Sequence, residues 1–248
     1  MTIQKTAVIT GGTRGIGRAV SLEFARSGYR VIALFGRDRA SAEKLLEEAK
    51  VEGLSITCIR GDLTQPEKFK QVISEMRDQV QSVDALIHCA ASGVHRKAKD
   101  LSIKHISWTM EINVLAIHQL IQSLLDLIPS GGRIVGVTSS GGTRVIPYYA
   151  AVGASKGALE ALFRHYAFEL APQGISVNCV CPGLVLTEAV EAFPDKETRT
   201  QKTLEATPTG RLTTPDDVAQ LIKFLCSPGA AQLVGQTLVL DGGKTLSS

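Results

Sequence analysis

Residues Ser139 to Lys156, SSGGTRVIPYYAAVGASK, set a hydroxyl, two phenols and an amine at spacings suited to proton transfer and oxyanion stabilisation. Arg133 to Thr138 is a β-branched run that reads as a buried strand ending at Ser139. Val152, Leu159, Leu162, Phe163, Tyr166 and Leu170 recur at helical spacing, so a long helix follows. At about 100° per residue, Tyr149 and Lys156 lie roughly 20° apart around that helix and about two turns apart along it. Tyr148 is turned roughly 80° away, and the position one turn before the lysine is Val152. A phenol beside a fixed ammonium has its ionised form favoured, so Tyr149 is expected to release a proton or stabilise an oxyanion nearer neutral pH than free tyrosine does. On this stretch alone, a surface tyrosine and a solvated lysine fit the residues equally well.

The elements that must position these groups are legible along the whole chain. Strands are predicted at Thr6–Thr10, Arg30–Phe35, Ser55–Arg60, Val83–His88, Arg133–Thr138, Ser176–Val180 and Thr237–Leu240. Helices are predicted at Gly15–Ser27, Ser41–Gly53, Pro66–Gln81, Ser102–Ile128 and Tyr149–Pro172. Strict alternation of strand and helix requires a parallel sheet covered on both faces, a doubly wound α/β fold of seven strands. No linker or composition shift divides the 248 residues, so one domain is expected over 1–248.

After the first strand comes Thr10-Gly11-Gly12-Thr13-Arg14-Gly15-Ile16-Gly17, opening an amphipathic helix. Glycines let the backbone approach a pyrophosphate, and the free N–H groups at the helix start attract it, so the turn is read as a dinucleotide site. The second strand ends Leu34-Phe35-Gly36-Arg37, without the acid that binds the ribose 2′-hydroxyl of NAD. Arg37 and Arg14 suit a 2′-phosphate instead, which favours NADPH; Asp38 is one residue late and reads as a helix N-cap. Asp62, in Gly61-Asp62-Leu63, is placed to accept from the adenine, with a turn-forming aspartate as the alternative.

Other classes of function find little support. The net charge of +3 is too small to argue for nucleic acid. The amino terminus runs directly into a strand without a charged leader and long apolar segment, so a cytoplasmic protein with no membrane anchor is expected. Cys58, Cys89, Cys179, Cys181 and Cys226 sit mostly in apolar runs as small hydrophobes, and no metal spacing or disulfide pattern emerges. His88, His95, His105, His118 and His165 show no metal spacing, and no chemistry is assigned to them.

With these motifs in hand, the chain resembles the short-chain dehydrogenase/reductases over essentially its whole length. The resemblance rests on Thr10 to Gly17, Asp62, Asn113 in MEINVLA, Ser139, Tyr149 and Lys156, with Pro182-Gly183 and Thr187 similar to that family's nicotinamide-contacting segment. It implies a Rossmann-type fold, a catalytic set of Asn113, Ser139, Tyr149 and Lys156, and a cofactor site of Gly11, Thr13, Arg14, Gly15, Ile16, Gly17, Arg37, Asp62, Leu63, Ala90, Lys156, Gly183 and Thr187. Two departures matter. The usual tyrosine position is Val152, and the usual Asn-Asn-Ala-Gly reads Cys89-Ala90-Ala91-Ser92 after His88.

Tyr149 followed by six residues and Lys156 has the spacing of the enoyl-acyl-carrier-protein reductases within that family. The match is closer to the type III enzymes, which are similar at Ala90 to Val94, at Trp108-Thr109-Met110, from Val152 through Leu162, and at Thr207-Pro208 with Gly210-Arg211. The resemblance implies NADPH, an acyl-carrier-protein thioester as substrate and a homotetramer with the helices of Asn113 and Lys156 at its dimer faces. Asn113 would hold a water that relays protons toward Lys156, or is a helix-interior polar residue bonding backbone. Ser139 would assist at the thioester oxygen or merely end the strand.

Thr187 to Arg211 carries charge and turn residues around one apolar clump, Ala189 to Pro194, and reads as a lid over the acyl chain. Arg96, Lys97, Lys99, Lys196, Arg199 and Lys202 form an expected basic rim for an acidic carrier. A reductase of a secondary metabolite, and a non-catalytic NADPH-sensing module, remain as competing readings.

Overall fold

A computed structural model of the chain describes residues 4–188, 190, 193 and 195–246. Seven parallel strands form one sheet in the order β3-β2-β1-β4-β5-β6-β7. They are β1 (Thr6–Thr10), β2 (Arg30–Phe35), β3 (Ile56–Arg60), β4 (Ala85–His88), β5 (Arg133–Val137), β6 (Ser176–Pro182) and β7 (Thr237–Leu240). The expected doubly wound topology is therefore present, with its reversal of strand order between β1 and β4. Every residue of β1 is buried, as a strand covered on both faces requires, and its side chains alternate between two cores. Val8 joins one core, while Ala7 and Ile9 join the other.

The helices are α1 (Gly15–Arg26), α2 (Arg39–Glu52), α3 (Pro66–Arg77), α4 (Ile103–Met110), α5 (Ala116–Leu124), α6 (Ala150–Leu170), α7 (Lys196–Glu205) and α8 (Pro215–Leu225). Val20, Phe24, Leu45, Val218 and Ile222 bring α1, α2 and α8 to one face of the sheet. Met76, Ile117, Leu120, Leu159 and Phe163 bring α3, α5 and α6 to the other. No helix among the described residues is long and apolar enough to cross a membrane.

Three differences from the sequence-based expectation have local causes. The helix predicted over Ser102–Ile128 is interrupted by a π turn, Glu111–Leu115, centred on Asn113. A π turn shifts the helical register by one residue, and such turns cluster at functional sites. Helices α7 and α8 were not predicted. The first is strongly polar, whereas Thr214 and Asp217 cap the second in a reciprocal capping box just beyond the expected lid. Within the expected lid, Ala189, Glu191, Ala192 and Pro194 lie outside the described residues.

Candidate active site

The glycine turn meets the loop after β4 at the point where strand order reverses. Gly11 has φ +66°, and a Cβ there would stand 2.9 Å from the Ala90 backbone, so the turn and Ala90 touch as the cofactor reading requires. Gly17 is tighter, since its Cβ would fall 2.1 Å from the Gly11 carbonyl oxygen. Gly15 faces Thr187, whose Cγ2 would lie 3.2 Å from an added Cβ. Gly183 is held at the end of the sheet by its N–H donating to Leu240 O (2.8 Å). A cleft of about 640 Å³ opens here, lined by Gly15, Leu186, Thr187, Thr200 and Pro215 among others. Thr13 is buried within the turn, and Ile16 packs onto the core beneath it. This floor of small residues at the start of α1 fits a nicotinamide dinucleotide, whose pyrophosphate needs close backbone approach and unpaired N–H groups.

Arg14 and Arg37 are both exposed, at the start of α1 and just beyond β2. Asp38, between Arg37 and α2, accepts from Ser41 N–H (3.0 Å) and the Ser41 hydroxyl (2.6 Å), which makes it the N-cap of α2 and holds its carboxyl below the usual range. Asp62 behaves in the same way. One oxygen accepts from the Thr64 N–H (3.1 Å) and hydroxyl (2.6 Å), the other from Gln65 (3.2 Å), so the carboxylate braces the turn that follows β3. Leu63 packs against the core.

Tyr149 departs from the position that helical geometry assigned to it. It is the N-cap of α6, with φ −112° and ψ 9°, so its own backbone is not helical and α6 begins one residue later, at Ala150. The residue before it, Tyr148, has φ +64°, a left-handed conformation that costs a non-glycine residue about 1 kcal/mol or more. That strained residue makes the turn into α6. The Tyr149 ring lies 5.9 Å from Phe193, nearly parallel to it, and 5.7 Å from His95. Arg199 stacks on Phe193 at 4.3 Å and pairs with Asp195 (3.1 Å), so it is turned toward the Tyr149 cluster. Burial pushes the Tyr149 phenol above its ordinary value, opposed by its hydrogen bond with the Ser139 hydroxyl. The lowering expected from Lys156 is not found, since burial is the largest influence on the phenol and acts upward.

Ser139 both ends β5 and reaches the phenol. Its oxygen accepts from Gly141 N–H (3.2 Å), capping a short turn. Lys156 is buried and donates from Nζ to Val137 O (2.7 Å), and burial lowers it to about 8. Asn113 is also buried, and its side chain is fully engaged. Nδ2 donates to Ser92 O (2.9 Å) and to the Ser155 hydroxyl (2.8 Å), and Oδ1 accepts from Ser92 N–H (2.9 Å). The amide thus clamps the loop after β4 to α6.

His88 went unassigned in the sequence, yet it ties these parts together. Its Nε2 lies 3.2 Å from the Asn113 carbonyl and its Nδ1 2.8 Å from the Thr10 hydroxyl, which in turn accepts from Ala90 N–H (3.1 Å). Burial and nearby Lys156 lower its pKa to about 3, so the ring is neutral. A carbonyl only accepts, so Nε2 carries the proton and Nδ1 accepts from Thr10. The visible signal was a histidine closing an apolar strand, ALIH. His95 and Phe193 gave none, because only the folded chain brings them to Tyr149.

The family described as "Enoyl-(Acyl carrier protein) reductase" matches residues 11–245. The chain is similar to a 1-cyclohexenylcarbonyl-CoA reductase of Streptomyces collinus, at 32% identity over 98% of this chain and 88% of that protein. It is similar also to a 3-oxoacyl-(acyl-carrier-protein) reductase of Staphylococcus epidermidis, at 31% identity over 97% of this chain and 99% of that one. Among solved structures, a short-chain dehydrogenase/reductase of Serratia marcescens matches with TM-score 0.89 at 26% identity, covering 99% of this chain and 100% of that one. An actinorhodin polyketide ketoreductase with NADPH matches with TM-score 0.89 at 26% identity, each chain covered to 97%.

Proposed function

The chain belongs to the short-chain dehydrogenase/reductase family, and from that premise we propose that it is an NADPH-dependent enoyl thioester reductase, acting on the 2,3 double bond of trans-2-enoyl-acyl-carrier-protein thioesters. The observation that carries this reading is the source of the phenol. Tyr149 reaches Ser139, whereas Val152, at the family's usual tyrosine position, is buried against Gly93, where a Cβ would meet it at 2.2 Å. The Streptomyces collinus relative also takes, by its name, a thioester whose carbonyl is attached to a cyclohexenyl group.

NADPH would be held by the Gly11–Gly17 turn, Ala90, Gly183, Thr187 and Lys156, with Arg14 and Arg37 at its 2′-phosphate, and it supplies the hydride. In ketone reduction the charge appears on the carbon-bound oxygen at the site of hydride arrival; in enoyl reduction it appears on the thioester oxygen, two atoms further along. A phenol displaced from the usual position suits the second case. Tyr149, kept protonated by burial, donates a hydrogen bond to that oxygen and stabilises the enolate, and Ser139 orients the phenol. Lys156 holds the cofactor ribose. Asn113 and His88 fix the floor on which both cofactor and acyl group rest.

The lid and the oligomer belong to the same reading. Phe193 closes over Tyr149 from the segment containing α7, where an acyl chain would enter. Exposed Ile103, Trp108 and Leu115 near α4, and Phe168 on α6, are the apolar surfaces that a homotetramer would cover. A 3-oxoacyl substrate is the second reading, favoured by the Staphylococcus epidermidis relative.

The deciding experiment follows NADPH oxidation by purified protein with crotonyl and acetoacetyl thioesters, presented on carrier protein and on CoA. Turnover of the crotonyl thioester alone is expected, and turnover of the acetoacetyl thioester alone would establish the second reading. For the cofactor, Arg37→Ala is expected to raise KM for NADPH about tenfold, the worth of one partly solvated charge-assisted hydrogen bond, and to leave KM for NADH unchanged. Equal effects on both cofactors would remove Arg37 from the 2′-phosphate site.

A further inference from the structure

Glu160 is a buried carboxylate that the reaction above leaves without a task. It lies one turn after Lys156 on α6, so the two side chains project from the same face of the helix. Lys156 is 4% exposed and Glu160 7%. They are held to consecutive residues at the end of β5, since Lys156 Nζ donates to Val137 O (2.7 Å) while Glu160 Oε1 accepts from the Thr138 hydroxyl (2.7 Å). The backbone of Gly142 closes over the pair. A Cβ at Gly142 would meet Glu160 Oε1 at 3.3 Å and the Lys156 carbonyl carbon at 3.2 Å.

The other titratable groups around Lys156 are neutral near pH 7. From β6 come Cys179 and Cys181, pushed up by burial to about 12 and about 11. From the end of β4 come Cys89, raised to about 12, and neutral His88. Arg164, two turns on from Lys156, is a further cation that bears on Cys179. Among the described groups that act on Lys156, Glu160 is the one carboxyl group. A lone ammonium in such a site loses its proton as water is excluded.

We propose that Glu160, fixed by Thr138, is the counter-charge that keeps Lys156 an ammonium in the active site, a positioning residue that acts through the lysine. The inference rests on Lys156 serving the cofactor as described above. The sign follows from the direction of each influence. Burial lowers Lys156 to about 8 and Glu160 works upward against it, so removing the carboxylate lowers the lysine further and shrinks the ammonium fraction at neutral pH. Function would then fail on the alkaline side earlier than in the wild type.

The test measures NADPH affinity and kcat/KM across the neutral and alkaline range for wild type and Glu160→Gln. In wild type both are expected to fall with an inflection near pH 8. In Glu160→Gln the inflection should move down by about one pH unit, the influence of one nearby opposite charge. An unmoved inflection in a variant with wild-type melting temperature overturns the proposal, as does a loss that is uniform over pH. If Glu160→Gln does not fold, Thr138→Val should shift the inflection the same way, because the Glu160 side chain loses the hydroxyl that fixes it beside Lys156, and Thr138→Ser should restore it. Equal inflections in Thr138→Val and wild type would again refute it. NADPH binding needs no acyl substrate, so a shifted binding profile without enoyl turnover would count against the proposed reaction and leave the role of Glu160 standing.

Discussion

Tyr149→Phe is expected to lower kcat/KM with an enoyl thioester by more than roughly a hundredfold, the scale of losing one positioned acid at a developing oxyanion. The substitution is clean. The ring keeps its stacking with Phe193 and His95, and the position caps α6 without a side-chain hydrogen bond to the helix, so the fold does not depend on the hydroxyl. Melting temperature and NADPH affinity should therefore stay close to wild type while turnover collapses. Tyr148→Phe supplies the contrast, because Tyr148 contributes a strained backbone and not a phenol aimed at Ser139. Steady-state rates for the two variants separate the assignments, and a collapse in Tyr148→Phe with near-normal Tyr149→Phe would move the acid by one residue.

Gly17→Ala should be equally severe for a different reason. Its Cβ would stand 2.1 Å from the Gly11 carbonyl oxygen and 2.7 Å from the Gly11 carbonyl carbon, backbone atoms with no rotamer to escape into. Gly11 itself rests against Ala90, so the turn cannot retreat toward β4. The start of α1 must shift, at a cost of about 3 kcal/mol typical of forced overpacking, and the N–H groups lose the positions that a pyrophosphate needs. Loss of measurable NADPH binding and a clear fall in melting temperature are expected together. Gly28→Ala is the matched control. It has φ +86° with nothing within 4 Å, so it should lose about 1 kcal/mol of stability and keep NADPH affinity. Unimpaired binding in Gly17→Ala would show that the turn does not hold the cofactor.

The chain's periodicities alone determined the sheet, the glycine turn, and Ser139 and Lys156 at the end of β5 and on α6. Those features come from local chemistry: β-branched runs, apolar spacing at the helical period, and glycine where no Cβ fits. The tertiary structure decided what each polar group does. Asp38 and Asp62 bond to neighbours three residues away or fewer, so each braces a cap or a turn. Tyr149 was placed on a helix by extrapolating α6 one residue too far. The strained Tyr148 sets where the helix starts, and the phenol comes beside Ser139. Asn113, His88, Thr10 and Ser155 form one hydrogen-bonded floor although up to 145 positions separate them, from Thr10 to Ser155. Glu160 is visible in the sequence as a charge one turn after Lys156, but its partner Thr138 lies just past the end of β5. Side-chain pairing at that separation depends on how strands and helices stack, which periodicity within any one segment does not encode.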